Sequence, residues 1–120
     1  MTAAAQRDDD VVVVLCTAPA QAAGGRLGAR ELAQQLVQER LCACVNVVAS
    51  VHSVFRWQGK VDTAEESLLV LKTTRGATGR LRARILALHP YELPEVLELP
   101  VAGGHGPYVD WVRASVGEPE

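Results

Sequence analysis

The stretch Val11-Val12-Val13-Val14-Leu15-Cys16 is apolar at every position. A strand with one wet face alternates apolar and polar residues, so an unbroken apolar run predicts a strand that is covered on both faces. The stretch Leu68-Leu69-Val70-Leu71 repeats this pattern later in the chain. The two stretches therefore predict the central strands of a sheet.

A helix and a long hairpin are predicted around these two stretches. Apolar residues recur at helical spacing between Leu27 and Arg40, which predicts a helix there. The segments Val45 to Trp57 and Val61 to Thr74 are rich in Val, Leu and other strand formers. They predict two strands joined by a turn at Gln58-Gly59-Lys60, where the glycine accepts a positive φ.

The last third of the chain predicts a helix, a short strand and a final helix. Leu81 and Ile85 recur at helical spacing. Pro90 ends this helix, because the residue before a proline avoids helical dihedrals. Val96-Leu97-Glu98-Leu99 predicts a short strand, and Pro107 is well placed for the first turn of the last helix.

The order of these elements predicts an α/β (α+β) chain of the ferredoxin-like βαββαβ type with a C-terminal helix. Right-handed crossovers place both main helices on one face of the four-stranded sheet, with the two apolar strands at its centre. The other face then needs a cover, since monomers rarely expose large apolar patches. We expect sister chains to supply it in a symmetric oligomer. The alternative is that the C-terminal helix folds back over this open face.

Size and composition limit the classes of function. The chain has 120 residues, 48% hydrophobic and 22% charged, which fits one domain at 11–120 behind a polar tail, Met1 to Asp10, that we expect to be disordered. The net charge is -2 and the basic residues are scattered, so we expect no nucleic-acid partner. No apolar run approaches membrane-spanning length, and the first residues lack a signal peptide's apolar core. We therefore expect a cytoplasmic protein with its three cysteines reduced.

An ordered set of motifs between about Val11 and Ser115 resembles the CutA family, the divalent-cation tolerance proteins. No single motif is specific, but their order and spacing together are. The motifs are Leu15-Cys16-Thr17-Ala18-Pro19, Leu41-Cys42-Ala43-Cys44-Val45-Asn46, Trp57-Gln58-Gly59-Lys60, Leu71-Lys72-Thr73-Thr74, His89-Pro90-Tyr91-Glu92-Leu93-Pro94-Glu95 and Leu99-Pro100-Val101, followed by Tyr108 with Trp111.

The resemblance implies a ferredoxin-like protomer assembled into a homotrimer through its sheets and long hairpins. It also implies a role in tolerance of copper or other divalent metals, and an architecture similar to PII-type signalling trimers, which bind nucleotides between subunits. This chain departs from the family pattern at three places. It carries extra residues around Ala22-Ala23-Gly24-Gly25-Arg26, has Leu88 where some members have a second histidine, and has Cys42 where an alanine is common.

Cys16 and His89 are the first candidates for holding a metal ion. The predicted topology brings the end of the first strand near the end of the second helix, and a thiolate with an imidazole suits copper or zinc. Structural zinc takes four ligands, so Glu95 or a residue of a neighbouring subunit has to help. The alternative is that Cys16 is a small buried hydrophobe and His89 caps its helix. For the pair Cys42 and Cys44, burial or incidental exposure is favoured over metal binding.

A second candidate site is a cleft or trimer interface with polar and aromatic residues. Glu66 and Lys72 lie on one strand six residues apart, so alternation points both to the same sheet face. They predict either a cleft that holds an anionic ligand between subunits or a buried ion pair that fixes the trimer register. Tryptophans are more often interface anchors than ligand platforms. The residues of this site are Trp57, Glu66, Lys72, Tyr91 and Trp111.

The sequence favours binding over catalysis. It has no Gly-rich phosphate loop and no His-Glu-x-x-His motif, so we expect no enzyme. The leading hypothesis is a cytoplasmic homotrimer that binds copper or another divalent metal and takes part in the response to metal ions. The alternative is a PII-like signalling module that binds a small metabolite or a partner protein between subunits, and a third hypothesis is a structural scaffold.

Overall fold

One four-stranded antiparallel sheet organises the computed structural model, which describes residues 6–117. The strand order is β2-β3-β1-β4, so the two apolar strands lie at the centre as predicted. The α+β fold is therefore confirmed. In chain order the elements are β1 (Val11–Ala18), α1 (Ala29–Gln38), β2 (Cys44–Trp57), β3 (Lys60–Thr74), α2 (Thr78–Leu88), β4 (Leu97–Pro100) and α3 (Gly106–Ser115), with a 3-10 turn (Arg75–Ala77) before α2.

One face of the sheet carries the main hydrophobic core. Val14 of β1 lies opposite Leu71 of β3, and Cys16 lies opposite Leu69. All four side chains are buried, because α1 and α2 pack against this face. The helices contribute the leucines and isoleucine that complete the core, which are Leu32, Leu36, Leu81 and Ile85.

The opposite face of the sheet is apolar and mostly uncovered; we call it the open face. Leu15 lies opposite Val70 on one side and Leu97 on the other, and the same alternation places Leu99 beside them. Leu97 is 56% exposed and Leu99 is 44% exposed. The open face therefore presents a row of aliphatic side chains to solvent in a single chain.

The helix α3 covers only one end of the open face. Its Val112 is fully buried and packs in a small cluster with Val11 and Ala43. Val11 and Ala43 lie at the edge where β1 begins and β2 follows, so the row from Leu15 to Leu99 stays uncovered. The alternative that the C-terminal helix folds over the whole open face is wrong for this chain.

The hairpin formed by β2 and β3 extends beyond the rest of the domain. Its strands have 14 and 15 residues, and the pairing is interrupted by a register shift between Val48 and Val51. Past this irregularity most hairpin side chains are exposed, including Val54 and Val61. A bulge of this kind increases the local twist of a strand pair.

The observed helix α1 is shorter than predicted at both ends. It begins after Gly28, whose amide donates to Glu31 Oε1 at 3.1 Å. A Cβ on Gly28 would lie 2.5 Å from the amide nitrogen of Ala22, so only glycine fits where the inserted loop crosses the helix start. The helix ends because Arg40 adopts a left-handed φ of 59°, a common way to terminate a helix.

Two smaller boundaries also differ from the sequence prediction. The strand β4 is shifted by one residue and includes Pro100, which an edge strand tolerates because its amide is not needed for pairing. Part of the predicted polar tail is attached to the domain, since Arg75 donates to the Asp10 carbonyl and Gly76 to the Asp8 carbonyl, each at 2.8 Å. Met1 to Ala5 of that tail lie outside the described residues.

We expect two glycine substitutions to change stability in opposite directions. Gly59→Ala forces alanine into the turn at a φ of 80° and should cost roughly 1–2 kcal/mol. Gly79→Ala in α2 meets no atom within 4 Å and should gain about 0.5 kcal/mol by removing unfolded-chain entropy. Denaturant unfolding at a fixed protein concentration measures both, and shifts of the same sign would contradict the turn and helix assignments.

Candidate functional site

His89 is held in one tautomer at the end of α2. The amide of Tyr91 can only donate, and it lies 3.1 Å from Nδ1, so that nitrogen is the acceptor. Nε2 therefore carries the proton and donates to the carbonyl oxygen of Thr17 at 2.7 Å. His89 is buried and ties the loop after α2 to the end of β1. The predicted proximity of these two chain ends is observed.

Cys16 lies beside this contact with its thiol fully buried. Its Sγ is 3.6 Å from the carbonyl oxygen of Thr17. Burial, followed by the negative charges of Glu95 and Glu66, raises the pKa of the Cys16 thiol to about 12. The thiol is protonated at neutral pH, and both carboxylates are close enough to act on it.

Glu66 and Tyr91 form the inner end of the same site. Glu66 is only 7% exposed. Burial of the Tyr91 phenol and its hydrogen bond to Glu66 raise the pKa of Tyr91 above its usual range. The Tyr91 ring also packs on His89, with centroids 4.7 Å apart and planes tilted by 59°. His89 and Glu66 therefore fix Tyr91 from two sides.

A cleft of about 850 Å³ opens between the distal hairpin and the loop that follows α2. We call it the hairpin cleft. Three aromatic side chains line it: Phe55 and Trp57 from β2, and Tyr91 from the loop. Leu93 and Pro90 add apolar surface on the loop side. Apolar walls with a few polar groups are typical of sites for small organic ligands.

The charged groups of the hairpin cleft are mainly acidic. Glu66 lies in the interior, while Asp62, Glu92 and Glu95 line the cleft with exposed side chains. Arg56 is the only basic residue among the described residues that line it. Because carboxylates outnumber this one arginine, the charge of the cleft in a single chain disfavours the anionic ligand that the sequence predicted as one alternative.

The residues predicted for one cleft lie in two separate places. Lys72 Nζ lies 3.8 Å from the Cys44 Sγ. Six residues of strand separate it from Glu66 by roughly 20 Å, so the two form no ion pair within a chain. Trp111 packs on Tyr108 of α3, with ring centroids 5.5 Å apart. Trp57, Glu66 and Tyr91 share the hairpin cleft, whereas Lys72 and Trp111 lie near the other end of the sheet.

The predicted metal donors suit copper in type but are not arranged as a ready site. Within residues 6–117, no group of three or more His, Cys, Asp or Glu side chains is placed to hold an ion. Cys16 is protonated, and both ring nitrogens of His89 already have partners. Cys42 is in the main core and Cys44 lies on the opposite face, so they do not act as a pair.

Sequence reasoning missed the part played by Arg26. The inserted loop folds into a tight turn closed by two hydrogen bonds between Ala23 and Arg26, of 3.2 and 2.9 Å. Gly24 and Gly25 both have positive φ, which this turn requires. The Arg26 guanidinium then donates to the Pro90 carbonyl at 3.0 Å. The Gly-Gly pair was the signal for the turn, but nothing local identifies a partner 64 residues away.

The fold and the cleft define a small α+β protein with a ferredoxin-like sheet and a long projecting hairpin. The profile of the CutA1 divalent ion tolerance protein family matches residues 12–115. This chain therefore belongs to the CutA1 family, which confirms the resemblance found in its motifs.

Known relatives support this assignment by sequence and by structure. The divalent-cation tolerance protein CutA of Thermus thermophilus is 47% identical over 105 residues, covering 88% of this chain and 97% of that protein. A solved structure of the divalent cation tolerance protein from Thermus thermophilus covers 89% of this chain and 99% of its own, with a TM-score of 0.80 and 44% identity. The chloroplastic CutA of Arabidopsis thaliana is 40% identical over 104 residues, which are 87% of this chain and 54% of that protein.

A further solved structure carries a PII-like description. The PII-like protein CutA from Nostoc, in apo form, is 32% identical and has a TM-score of 0.80, covering 90% of this chain and 99% of its own. Among the helices of residues 6–117, none is long and apolar enough to cross a membrane.

We expect Arg26→Ala to loosen the loop that carries His89 and Tyr91. Losing the hydrogen bond to Pro90 should cost about 1 kcal/mol of local stability, so the Tyr91 amide should exchange with solvent about fivefold faster. Hydrogen exchange measured by NMR tests this, with Arg30→Ala on the exposed side of α1 as the control. Equal exchange rates of the Tyr91 amide in the two variants would show that Arg26 does not stabilise this loop.

Proposed function

We propose that this protein is a cytoplasmic homotrimer that binds a divalent metal, copper first, and contributes to metal tolerance. The metal assignment is supported by the proximity of Cys16 and His89 at the C-terminal end of β1, where both side chains lie beside the Thr17 carbonyl and the charge of Glu95 acts on the thiol. Membership in the CutA1 family supports the link to divalent cations. The three free cysteines support a reducing compartment.

The open face supports the trimer. Covering on the order of 1,000 Å² of apolar surface there would contribute roughly 25 kcal/mol at about 25 cal/mol per Å². This exceeds an association cost of about 4–15 kcal/mol. The hairpin adds exposed Val54 and Val61, which offer further apolar contact to a neighbouring chain. Sheet faces and hairpins of sister chains are the natural cover.

We expect sedimentation to show a trimer at micromolar concentration. Leu15→Glu places a charge in the middle of the open face and should dissociate it, because the carboxylate would lose its water in the assembly. Leu86→Glu is the matched control, since Leu86 is exposed on the outer side of α2 and the variant should remain trimeric. A monomeric wild-type protein would refute the assembly.

Metal binding at this site has two requirements that the structure defines. Cys16 has to lose its proton, and the pKa of about 12 means that the ion competes with that proton. His89 Nε2 carries a proton that it donates to the Thr17 carbonyl, so an ion can bind there only if this hydrogen bond breaks and the proton moves to Nδ1, which also ends the hydrogen bond that Nδ1 accepts from the Tyr91 amide. Glu95 is the predicted oxygen donor, and its charge acts on the Cys16 thiol. A soft cation such as copper is favoured because thiolate is a soft ligand.

We expect copper binding to release about one proton and to tighten by about tenfold for each unit of rising pH, since the thiol stays protonated up to a pKa of about 12. Calorimetry in buffers of different ionisation enthalpy measures both quantities. Cys16→Ser and His89→Ala should each weaken binding at least tenfold, while Cys44→Ser should not. Unchanged affinity in the first two variants would exclude this site.

A second candidate function is a PII-like module that binds a small molecule between subunits. The hairpin cleft favours it, because its walls suit an organic ligand better than a bare ion. The PII-like description of the Nostoc relative adds support. The two functions differ in the residues they use: Cys16 and His89 for metal, and Trp57, Glu66 and Tyr91 for an organic ligand.

A further inference from the structure

The peptide group between Pro90 and Tyr91 is hydrogen-bonded at both ends. At its oxygen, the Arg26 guanidinium donates to the Pro90 carbonyl at 3.0 Å. At its nitrogen, the Tyr91 amide donates to His89 Nδ1 at 3.1 Å. The peptide is planar and trans, so its C=O and N–H bonds point in opposite directions and turn together. Arg26 and His89 therefore hold one rigid unit from two sides.

This peptide group connects the charge of Arg26 to the His89 ring. A cation at the carbonyl oxygen polarises the peptide, because consecutive hydrogen bonds strengthen one another. The Tyr91 amide is then a stronger donor toward Nδ1. A ring nitrogen that accepts a hydrogen bond keeps its lone pair, so the proton stays on Nε2, which donates it to the Thr17 carbonyl. The contact at Pro90 therefore favours the observed tautomer of His89.

Metal binding at His89 requires the Tyr91 amide to leave, whichever ring nitrogen takes the ion. An ion at Nδ1 replaces the amide directly. An ion at Nε2 requires the ring proton to move to Nδ1, which would then face the amide as a second donor. Both routes need the Pro90–Tyr91 peptide to turn or shift, so the hydrogen bond from Arg26 opposes both.

We propose that Arg26 is a positioning residue for His89, which it holds in the Nε2-protonated form through the Pro90–Tyr91 peptide, and that it thereby weakens metal binding at His89. This inference deepens the proposed metal function and rests on it for the effect on the ion, whereas the effect on the ring needs no metal. Arg26 belongs to the inserted loop, in the turn that is closed on Ala23. The inserted loop therefore regulates the ion affinity of the proposed site.

The contacts that carry this inference lie within one chain. The pocket beside Arg26 is lined by Gln35 of α1 and Arg84 of α2, on the sheet face that the helices cover. Assembly through the open face does not have to displace these hydrogen bonds. An arginine that only steadied the loop would leave the hydrogen bonding of the His89 ring unchanged, so the test needs a signal from the ring itself.

The first measurement compares the ¹⁵N-labelled full chain with its Arg26→Ala variant, without metal, at a pH of about 8, where free imidazole is neutral. In the variant, weaker donation from the Tyr91 amide should move the His89 Nδ1 signal toward that of a free acceptor nitrogen. The scalar coupling across the N–H···N hydrogen bond should decrease. Arg30→Ala, on the exposed side of α1, should leave the signal and the coupling unchanged.

The second measurement is copper affinity by calorimetry. Arg26→Ala should bind copper about fivefold more tightly than the wild-type chain, the factor that one net hydrogen bond represents, because the released peptide reaches the binding-competent arrangement more often. Arg30→Ala should match the wild type. Adding His89→Ala to Arg26→Ala should abolish the gain, since Arg26 acts through the ring.

The two measurements separate this inference from the proposed function. Unchanged His89 Nδ1 and Tyr91 amide signals in Arg26→Ala would overturn the inference. Equal copper affinities of Arg26→Ala and the wild type would also overturn it, if copper binding depends on Cys16 and His89. Copper binding that is absent, or that survives in Cys16→Ser and His89→Ala, would refute the proposed metal function and the effect on the ion. The ring signals would then still decide whether Arg26 positions His89.

Discussion

The central constraint on this molecule is a pair of strands that are apolar on both faces in a chain whose helices cover only one face. β1 and β3 place Val14 and Leu71 under the helices and Leu15 and Val70 on the open face. No rearrangement within the chain removes this problem, because α3 is short and covers only the end near Val11. These two strands also place two of the functional groups. Cys16 lies near the C-terminal end of β1 and Glu66 in the middle of β3, where the hairpin continues past the end of β1 toward the cleft.

The loop after α2 is held by hydrogen bonds to neighbouring residues and to distant parts of the chain. His89 uses both ring nitrogens to join the Tyr91 amide to the Thr17 carbonyl. Arg26 then fixes Pro90 from the inserted loop. A metal ion at Nε2 would have to break both hydrogen bonds of His89, because the Nε2 proton would move to Nδ1, which now accepts from the Tyr91 amide. The same contacts that orient Tyr91 therefore oppose metal binding at His89.

The fold could be predicted largely from residue patterns, whereas the site could be predicted only in part. Apolar runs gave the central strands, and Gly59 gave the turn, because these signals act over a few residues. Alternation correctly placed Glu66 and Lys72 on one face, but it contains no information on distance along the strand, and roughly 20 Å separates them. The contact between Arg26 and Pro90 depends on tertiary packing across 64 residues. The tautomer of His89 likewise depends on backbone groups that only the folded chain brings together.

Cys16 and Glu66 lie in the same region of the sheet, close enough for the charge of the carboxylate to act on the thiol. Burial raises the pKa of the Cys16 thiol, so the thiol keeps its proton, and the charges of nearby carboxylates raise this pKa further. Glu66 is nearly buried and lies beside Tyr91 at the inner end of the hairpin cleft. The hairpin contributes Trp57 to that cleft and exposed valines to the surface offered to sister chains.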